Sequence, residues 1–441
     1  MITTTTQTPW THLPDPQPST GDAPPDLEIT GERTVTFRGF GACFTELGWR
    51  ALGHLDSGAR AELLDDFFRP DGAMGFEFCR MPIGANDYSE DWFSHNETPG
   101  DLSMAHFSID RDRRAILPYL REALSRNPSI DLFASPWSPP TWLKNPPVFN
   151  FGRLRNDPAS LDAYALYFVK FVQAYAAEGI RIAQVHVQNE PCSTQKFPSC
   201  VMTGAEMRDF IGRHLGPAFE RAGLDCEIWL GTINGPETDA ERKTWTGFND
   251  YAFTVMEDPA ARRFVRGISY QWAGKYAVWR TRMAYPELPL IQSENECGDG
   301  RNSWDEAWYV ADLFFHYLAQ DAAAHVFWNP VLEPGGESSW GWKQDSLVTV
   351  DPATGTLTHN PQWHIMRHFA GSIRRGDRRL ACRRPWSANA VAYERAGQAA
   401  VVLRNPLAEP REVRIATPAA CWSTRLPANS LSTFHLPGQI S

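Results

Sequence analysis

The chain has 441 residues, 42 Lys+Arg against 52 Asp+Glu, and a formal net charge of -10. Hydrophobic residues make up 42% and charged residues 21%, an ordinary globular composition that excludes disorder, collagen and coiled coil. The length suits two or three domains, or one large barrel with an appendage, and the acidic balance argues against a general nucleic-acid binder, which needs a basic face.

Residues 1–26 are rich in Thr, Pro and Asp and are expected to form a mobile or loosely docked arm. The N-terminus lacks the basic start and apolar h-region of a secretory signal. No apolar run is long enough to span a membrane, and the expected location is cytoplasmic with reduced thiols. From Glu28 to Phe40 short alternations, such as Thr34-Val35-Thr36-Phe37, suit a strand.

A repeating pattern follows. Eight short apolar or β-branched runs are predicted as strands, over 39–44, 78–83, 132–135, 183–188, 228–232, 268–271, 290–293 and 326–328. Between them lie helix-like stretches, among them 60–68, 115–125, 161–177, 205–221 and 304–320. Alternating strand and helix implies a parallel sheet with crossovers, and eight units are the count of an α/β (β/α)8 TIM barrel. The rival, an open doubly wound sheet, wants a glycine-rich phosphate turn, and Gly39-Phe40-Gly41 lacks the third glycine of that motif. After Phe369 the pattern changes to short alternating runs separated by turns, which predict a small antiparallel β-domain completed by the strand before Phe40. The expected organisation is therefore 1–36 as an arm and strand given to the β-domain, 37–369 as the barrel, and 370–441 as the C-terminal β-domain.

Eight cysteines are scattered without a C-x-x-C pair, against a zinc ribbon or dithiol site, and Cys192 and Cys200 are expected to be free thiols. The run of Arg374, Arg375, Arg378, Arg379, Arg383 and Arg384 reads as a solvated or salt-bridged face. His186, inside a strand, reads as a packed, hydrogen-bonded histidine, and Met202 and Met207 carry no cofactor pattern. H-E-x-x-H and G-x-S-x-G are absent, so neither a metal nor a serine nucleophile is expected, and no cofactor.

Barrels of this kind carry their chemistry at the C-terminal ends of the strands. Here those ends hold Asn86-Asp87-Tyr88, Trp137, Asn189-Glu190-Pro191, Gln271-Trp272, Ser293-Glu294-Asn295-Glu296 and Trp328-Asn329. Carboxylates, amides and indoles are the inventory for holding and cleaving a sugar, whose flat C–H faces stack on indole. The 17 Trp and 25 Phe serve either such a cleft or aromatic core layers. Retaining glycoside hydrolysis needs two carboxyl groups about 5–5.5 Å apart. Glu190 and Glu294 end strands four and seven, which face one another across a barrel, and this separation is expected of them.

Asn189-Glu190-Pro191 after a fourth strand resembles the clan of retaining (β/α)8 glycosidases. The stretch from Ser135-Pro136-Trp137 to Leu143-Lys144 resembles glucosylceramidase and its relatives in glycoside hydrolase family 30. So do Arg80-Met81-Pro82-Ile83, Asn86-Asp87-Tyr88-Ser89, and Asn329-Pro330 with Glu333-Pro334-Gly335-Gly336. The resemblance runs from about Gly39 to the C-terminus. It implies a barrel with a β-sandwich built from both chain ends. It implies Glu190 as acid/base, Glu294 as nucleophile, Asn189 as the amide at the sugar 2-hydroxyl, and Asp87, Trp137 and Trp328 as grips on the innermost sugar. Gln271 and Trp272 belong to the same substrate wall. Two departures stand out. Glucosylceramidase has one residue between its Ser-Glu and a Cys, whereas two separate Glu294 from Cys297, so Glu296 competes as nucleophile; 294 and 296 also share one strand face. Gln271-Trp272-Ala273 stands where the animal lipid-cleaving enzymes have His-Trp-Tyr, which argues against a ceramide substrate.

The expectation is a retaining exo-acting β-glycosidase acting on a carbohydrate or glycoconjugate and releasing β-linked glucose. The alternatives are an endo-β-1,6-glucanase, a β-xylosidase or a β-fucosidase. A non-catalytic carbohydrate-binding barrel is the alternative from outside enzymology.

Overall fold

The computed structural model describes residues 1–20, 23–192, 194–235 and 250–437. Eight parallel strands form one sheet: Gly39–Ala42, Phe78–Ile83, Asp131–Pro136, Gln184–His186, Glu227–Ile233, Val265–Gln271, Leu290–Glu294 and Ala322–Phe327. Each neighbours the strands before and after it in the chain, the first also pairs with the eighth, and a parallel bridge from Cys43 to Arg80 closes the ring between the first strand and the second. Helices cover the outside, so the strands are buried on both faces; this is why they read as continuous apolar runs rather than alternations.

The helices begin where the sequence supplies caps. The Asp56 side chain accepts from the amides of Gly58 and Ala59 to start Ser57–Phe68. Asp157, with a proline following, starts the long helix Pro158–Ala177, and Ser303 caps Trp304–Ala319. The stretch expected as one helix over 205–221 is three pieces: Gly204–Asp209, a π-helical turn Phe210–Leu215, and Gly216–Ala222. Pro217 explains the break, because its ring crowds the carbonyl four residues back and it lacks an N–H, so the turn widens.

The β-domain is a ten-stranded sheet folded over one core that contains Leu27, Ile29, Leu380, Val401, Val413 and Phe434, the arrangement of a sandwich. The strand Leu27–Thr36 lies within it, antiparallel to Arg378–Arg383. Most pairings are antiparallel; that of Leu27 with Ile415 is parallel, so the sheet is mixed. The N-terminal arm is not loose. Ile2–Thr4 pairs antiparallel with the last strand, Ser430–Leu436, and Thr3 and Thr4 are buried. The β-branched threonines fit a pleated edge, and Thr4 and Thr433 both hydrogen-bond His368 of the last barrel helix, at 2.9 and 2.8 Å.

Three arginines of the run, Arg374, Arg375 and Arg379, form the seam between sandwich and barrel, and Arg383 and Arg384 stay on an exposed, salt-bridged face as expected. Arg374 donates to the carbonyls of Met74 (2.6 Å) and Gly75 (3.1 Å), and Arg375 to those of Arg38 and Ser129. Gly75 has φ +53°, and a Cβ there would lie 2.0 Å from the Arg374 guanidinium. Arg379, Arg383 and Arg384 pair with Asp321, Glu32 and Glu28. All eight cysteines are unpaired. Among the described residues no helix is long and apolar enough to cross a membrane.

Candidate active site

At the C-terminal mouth of the barrel the strand ends converge on a guanidinium. Arg80 is the one charged side chain of strand two and is 0% exposed. A buried charge costs several kcal/mol unless paired and hydrogen-bonded, and Arg80 is both. It donates to Glu294 Oε2 (2.6 Å) and Asn189 Oδ1 (2.6 Å), and twice to Ser135 Oγ (3.1 and 2.9 Å). Its guanidinium carbon lies 4.4 Å from the Trp137 ring centroid. One residue from strand two thus orients groups from strands three, four and seven.

Glu294 is held at both oxygens, because Trp272 Nε1 donates to Oε1 at 2.9 Å. Burial raises its pKa above the ordinary carboxyl value, and the Arg80 charge and the Trp272 donor oppose that rise. Glu190 has a different environment. Gln271 Nε2 and Gln195 Nε2 each donate to it at 3.3 Å, and among the described residues no Lys or Arg borders the cavity beside it. Burial, and then the charge of Glu294, push its pKa up to about 8. Burial thus raises both carboxyls of the cavity, and the Arg80 charge beside Glu294 opposes the rise there.

Glu190 and Trp272, the donor to Glu294, are presented by unusual backbone. Glu190 has φ +49° and Trp272, after strand six, φ +48°. Side-chain-bearing residues pay of order 1–3 kcal/mol in the left-handed region, so the surroundings must impose it. For Glu190 they do: its N–H donates to Thr232 O on strand five, while the N–H of Asn189 donates to Pro136 O on strand three. Asn189 Oδ1 accepts from Arg80 and from Thr232 Oγ1 (3.0 Å), which leaves its Nδ2 as the donor toward a ligand.

These groups line a cavity of about 250 Å³. Asp87, Trp137, Asn189, Glu190, Trp272 and Glu294, named from the sequence, all border it. Asp87 is 4% exposed, its Oδ1 has no partner, and burial with the Glu294 charge raises its pKa to about 8. Two other candidates sit behind the wall. Trp328 is 1% exposed and stacks on Trp137, with ring centroids 5.4 Å apart. Gln271 is fully buried and bridges the site from beneath, donating to Glu190 and accepting from Ser293 Oγ at 3.0 Å.

Glu296 lies elsewhere. It pairs with Lys275 and does not border the cavity. The shared-face expectation for 294 and 296 fails because strand seven ends at Glu294. Asn295 then turns the chain, its N–H donating to Val326 O and its Nδ2 to Glu296 O. His186 is packed as expected: it lies parallel to Trp229 with ring centroids 5.4 Å apart and hydrogen-bonds Ser269 at 2.8 Å.

The sequence reading assigned no role to Arg80, although a lone arginine in an otherwise apolar strand is a signal that a buried partner exists. It also missed Gln195, Phe197, Asn234, Trp342 and Gln344, all bordering the cavity from connections that have no periodicity to read.

Comparison with known proteins agrees with this geometry. Residues 37–373 match the TIM-barrel domain of glycosyl hydrolase family 30. The chain is 28% identical over 424 residues to the lysosomal acid glucosylceramidase of Mus musculus, covering 90% of this chain and 80% of that protein. It is 27% identical over 428 residues to an endo-1,6-beta-D-glucanase of Neurospora crassa, covering 92% and 86%. Among solved structures it is similar to the endo-β1,6-glucanase BT3312, with a TM-score of 0.82, 26% identity and 93% of each chain covered. It shares its fold with SrfJ from Salmonella typhimurium, with a TM-score of 0.87, 22% identity, and 96% and 95% covered. A barrel with a folded-over sheet built from both chain ends, a carboxyl pair at its mouth and a family match over most of its length make the chain a glycoside hydrolase belonging to glycosyl hydrolase family 30.

Proposed function

We propose that the protein is a retaining, exo-acting β-glycosidase that releases β-linked glucose. The observation that carries this reading is the pairing of Glu190, high in proton affinity, with Glu294, held by Arg80 and Trp272, in one cavity. Double displacement requires that pair. Glu294 attacks the anomeric carbon while Glu190 gives its proton to the leaving oxygen, forming a glycosyl ester. Glu190, now a carboxylate, takes a proton from water, which breaks the ester and restores both groups. The Asn189 amide and Asp87 supply hydrogen bonds to sugar hydroxyls, and Trp137 supplies an apolar wall.

The cavity's size and walls support exo action. Its volume falls below the roughly 300–1,000 Å³ of pockets for drug-sized ligands and suits one ring. The connection after strand eight is tied to its neighbours: Tyr88 Oη donates to Gly336 O (2.6 Å), Ser339 Oγ to Ser89 O (2.9 Å), and Trp340 meets Phe197 at 5.2 Å. The similarity to BT3312 over 93% of both chains favours a second reading, endo-β-1,6-glucanase. Time-resolved analysis of a β-1,6-glucan digest separates them. Glucose is expected as the first and dominant product, and early gentio-oligosaccharides would replace the exo reading with the endo one.

The pH profile follows from Glu190. Its folded pKa of about 8 means that it loses its proton only as pH rises through that value. The kcat/KM for a disaccharide is expected to level off below about pH 8 and fall about tenfold per unit above it, the behaviour of a required general acid. For a glucosyl fluoride, whose leaving group needs no proton, this alkaline limb should be weaker; identical limbs for the two substrates would remove Glu190 from the acid role.

A further inference from the structure

The glycosidase reading leaves the other half of the substrate open, and the connection after strand eight bears on it. Trp342 borders the same cavity as Glu190 and Glu294 yet is 44% exposed. Among the described residues it is the one exposed large apolar side chain that does so. An exposed indole beside a catalytic cavity has a single productive use if it is rigid, which is to be covered by a ligand.

Trp342 is rigid. Its ring stacks on Trp340 with centroids 5.5 Å apart and planes 17° apart, and Trp340 in turn meets Phe197. The backbone closes a tight turn in which Ser338 N–H donates to Trp342 O (2.7 Å) and Trp342 N–H to Ser338 Oγ (3.0 Å). Gly341, with φ +90°, supplies the conformation that turn needs. A stiff ring backed on one side and open on the other stacks a flat ligand at low entropic cost.

We infer that Trp342 is the platform for a second pyranose, the leaving-group sugar of a β-linked oligosaccharide, so that the enzyme's aglycone is a neutral glycan rather than a lipid chain. Trp342 borders the cavity beside both amides and rings: Gln195, Asn234 and Gln344 alternate with Phe197 and Trp272. Amides match ring hydroxyls and aromatic faces between them match the C–H faces of a pyranose, an alternation that suits a sugar ring better than an acyl chain, which has no hydroxyls to pair with the amides. No Lys or Arg among the described residues borders the cavity.

The inference rests on the glucosidase reading, and the test separates the two. The kcat/KM values are measured for gentiobiose, laminaribiose, cellobiose and sophorose, and for β-glucosyl fluoride, which has no aglycone ring. Wild type, Trp342→Ala and Trp342→Phe are compared, with thermal melts to verify folding. The ratio of the best disaccharide to the fluoride is expected to fall about tenfold or more in Trp342→Ala and to recover largely in Trp342→Phe. A ratio that stays within about twofold of wild type overturns the platform while leaving the glucosidase reading intact. Wild-type preference for glucosylceramide micelles over every disaccharide also overturns it. Wild type inert toward the fluoride and all four disaccharides brings down the glucosidase reading, and the inference with it.

Discussion

Glu294→Gln is expected to fold with a lowered melting temperature, because it leaves the buried Arg80 charge without its carboxylate, and to lose at least about 10⁴-fold in kcat/KM, roughly 5.5 kcal/mol of transition-state stabilisation. The amide has the carboxylate's shape and can still accept from Trp272, but it cannot form the glycosyl ester on which retention depends. A 2-fluoro glucoside with a good leaving group is expected to label Glu294 in the wild type, as read by peptide mapping. Glu296→Gln should lose less than about tenfold, because Glu296 serves Lys275 outside the cavity. A label on Glu296 would reverse the assignment and keep the reaction class. No label on either residue, with turnover intact in both variants, would take strand seven out of the mechanism.

The second large effect belongs to Arg80. Arg80→Gln removes the charge that opposes the rise of Glu294's pKa. With it gone, Glu294 holds its proton to higher pH, so the acid limb of the kcat/KM profile should move toward alkaline pH. The same change takes a donor from Asn189 Oδ1 and both donors from Ser135 Oγ. A loss of about 10²–10³-fold near neutral pH is expected. A drop in melting temperature should accompany it, since removing one partner of a buried ion pair costs about 3–5 kcal/mol, although Glu294 can limit that cost by taking a proton. An acid limb that stays in place would show that Arg80 does not govern Glu294's ionisation, whatever the loss in rate.

The eight barrel strands were legible because a parallel strand covered on both faces must be apolar throughout, and that need is written residue by residue. The helices were legible from the helical spacing of their apolar residues, a signal that acts within a few turns. Glu190 was legible for a similar reason: Asn189-Glu190-Pro191 is one short motif at one strand end. Local signals failed where a distant partner decided the outcome. The threonines of residues 2–4 look like an arm until the last strand, more than 400 residues away, offers them an edge.

The site divides along the same line. Sequence alone determined which chemistry was present: two glutamates, an aspartate, amides and indoles at the ends of barrel strands. Only the tertiary structure decided which glutamate of strand seven enters the cavity, because that depends on where the strand stops and on Lys275 being there to hold Glu296. It also decided the surroundings of each carboxyl. Glu190 and Glu294 are the same residue type, but Arg80, from a strand 214 positions before Glu294, lies against Glu294 and opposes the rise in its pKa that burial causes. A side chain's identity is fixed along the chain, but its charge state is set by burial and by the charges that folding brings within a few ångströms, and those come from everywhere in the sequence at once.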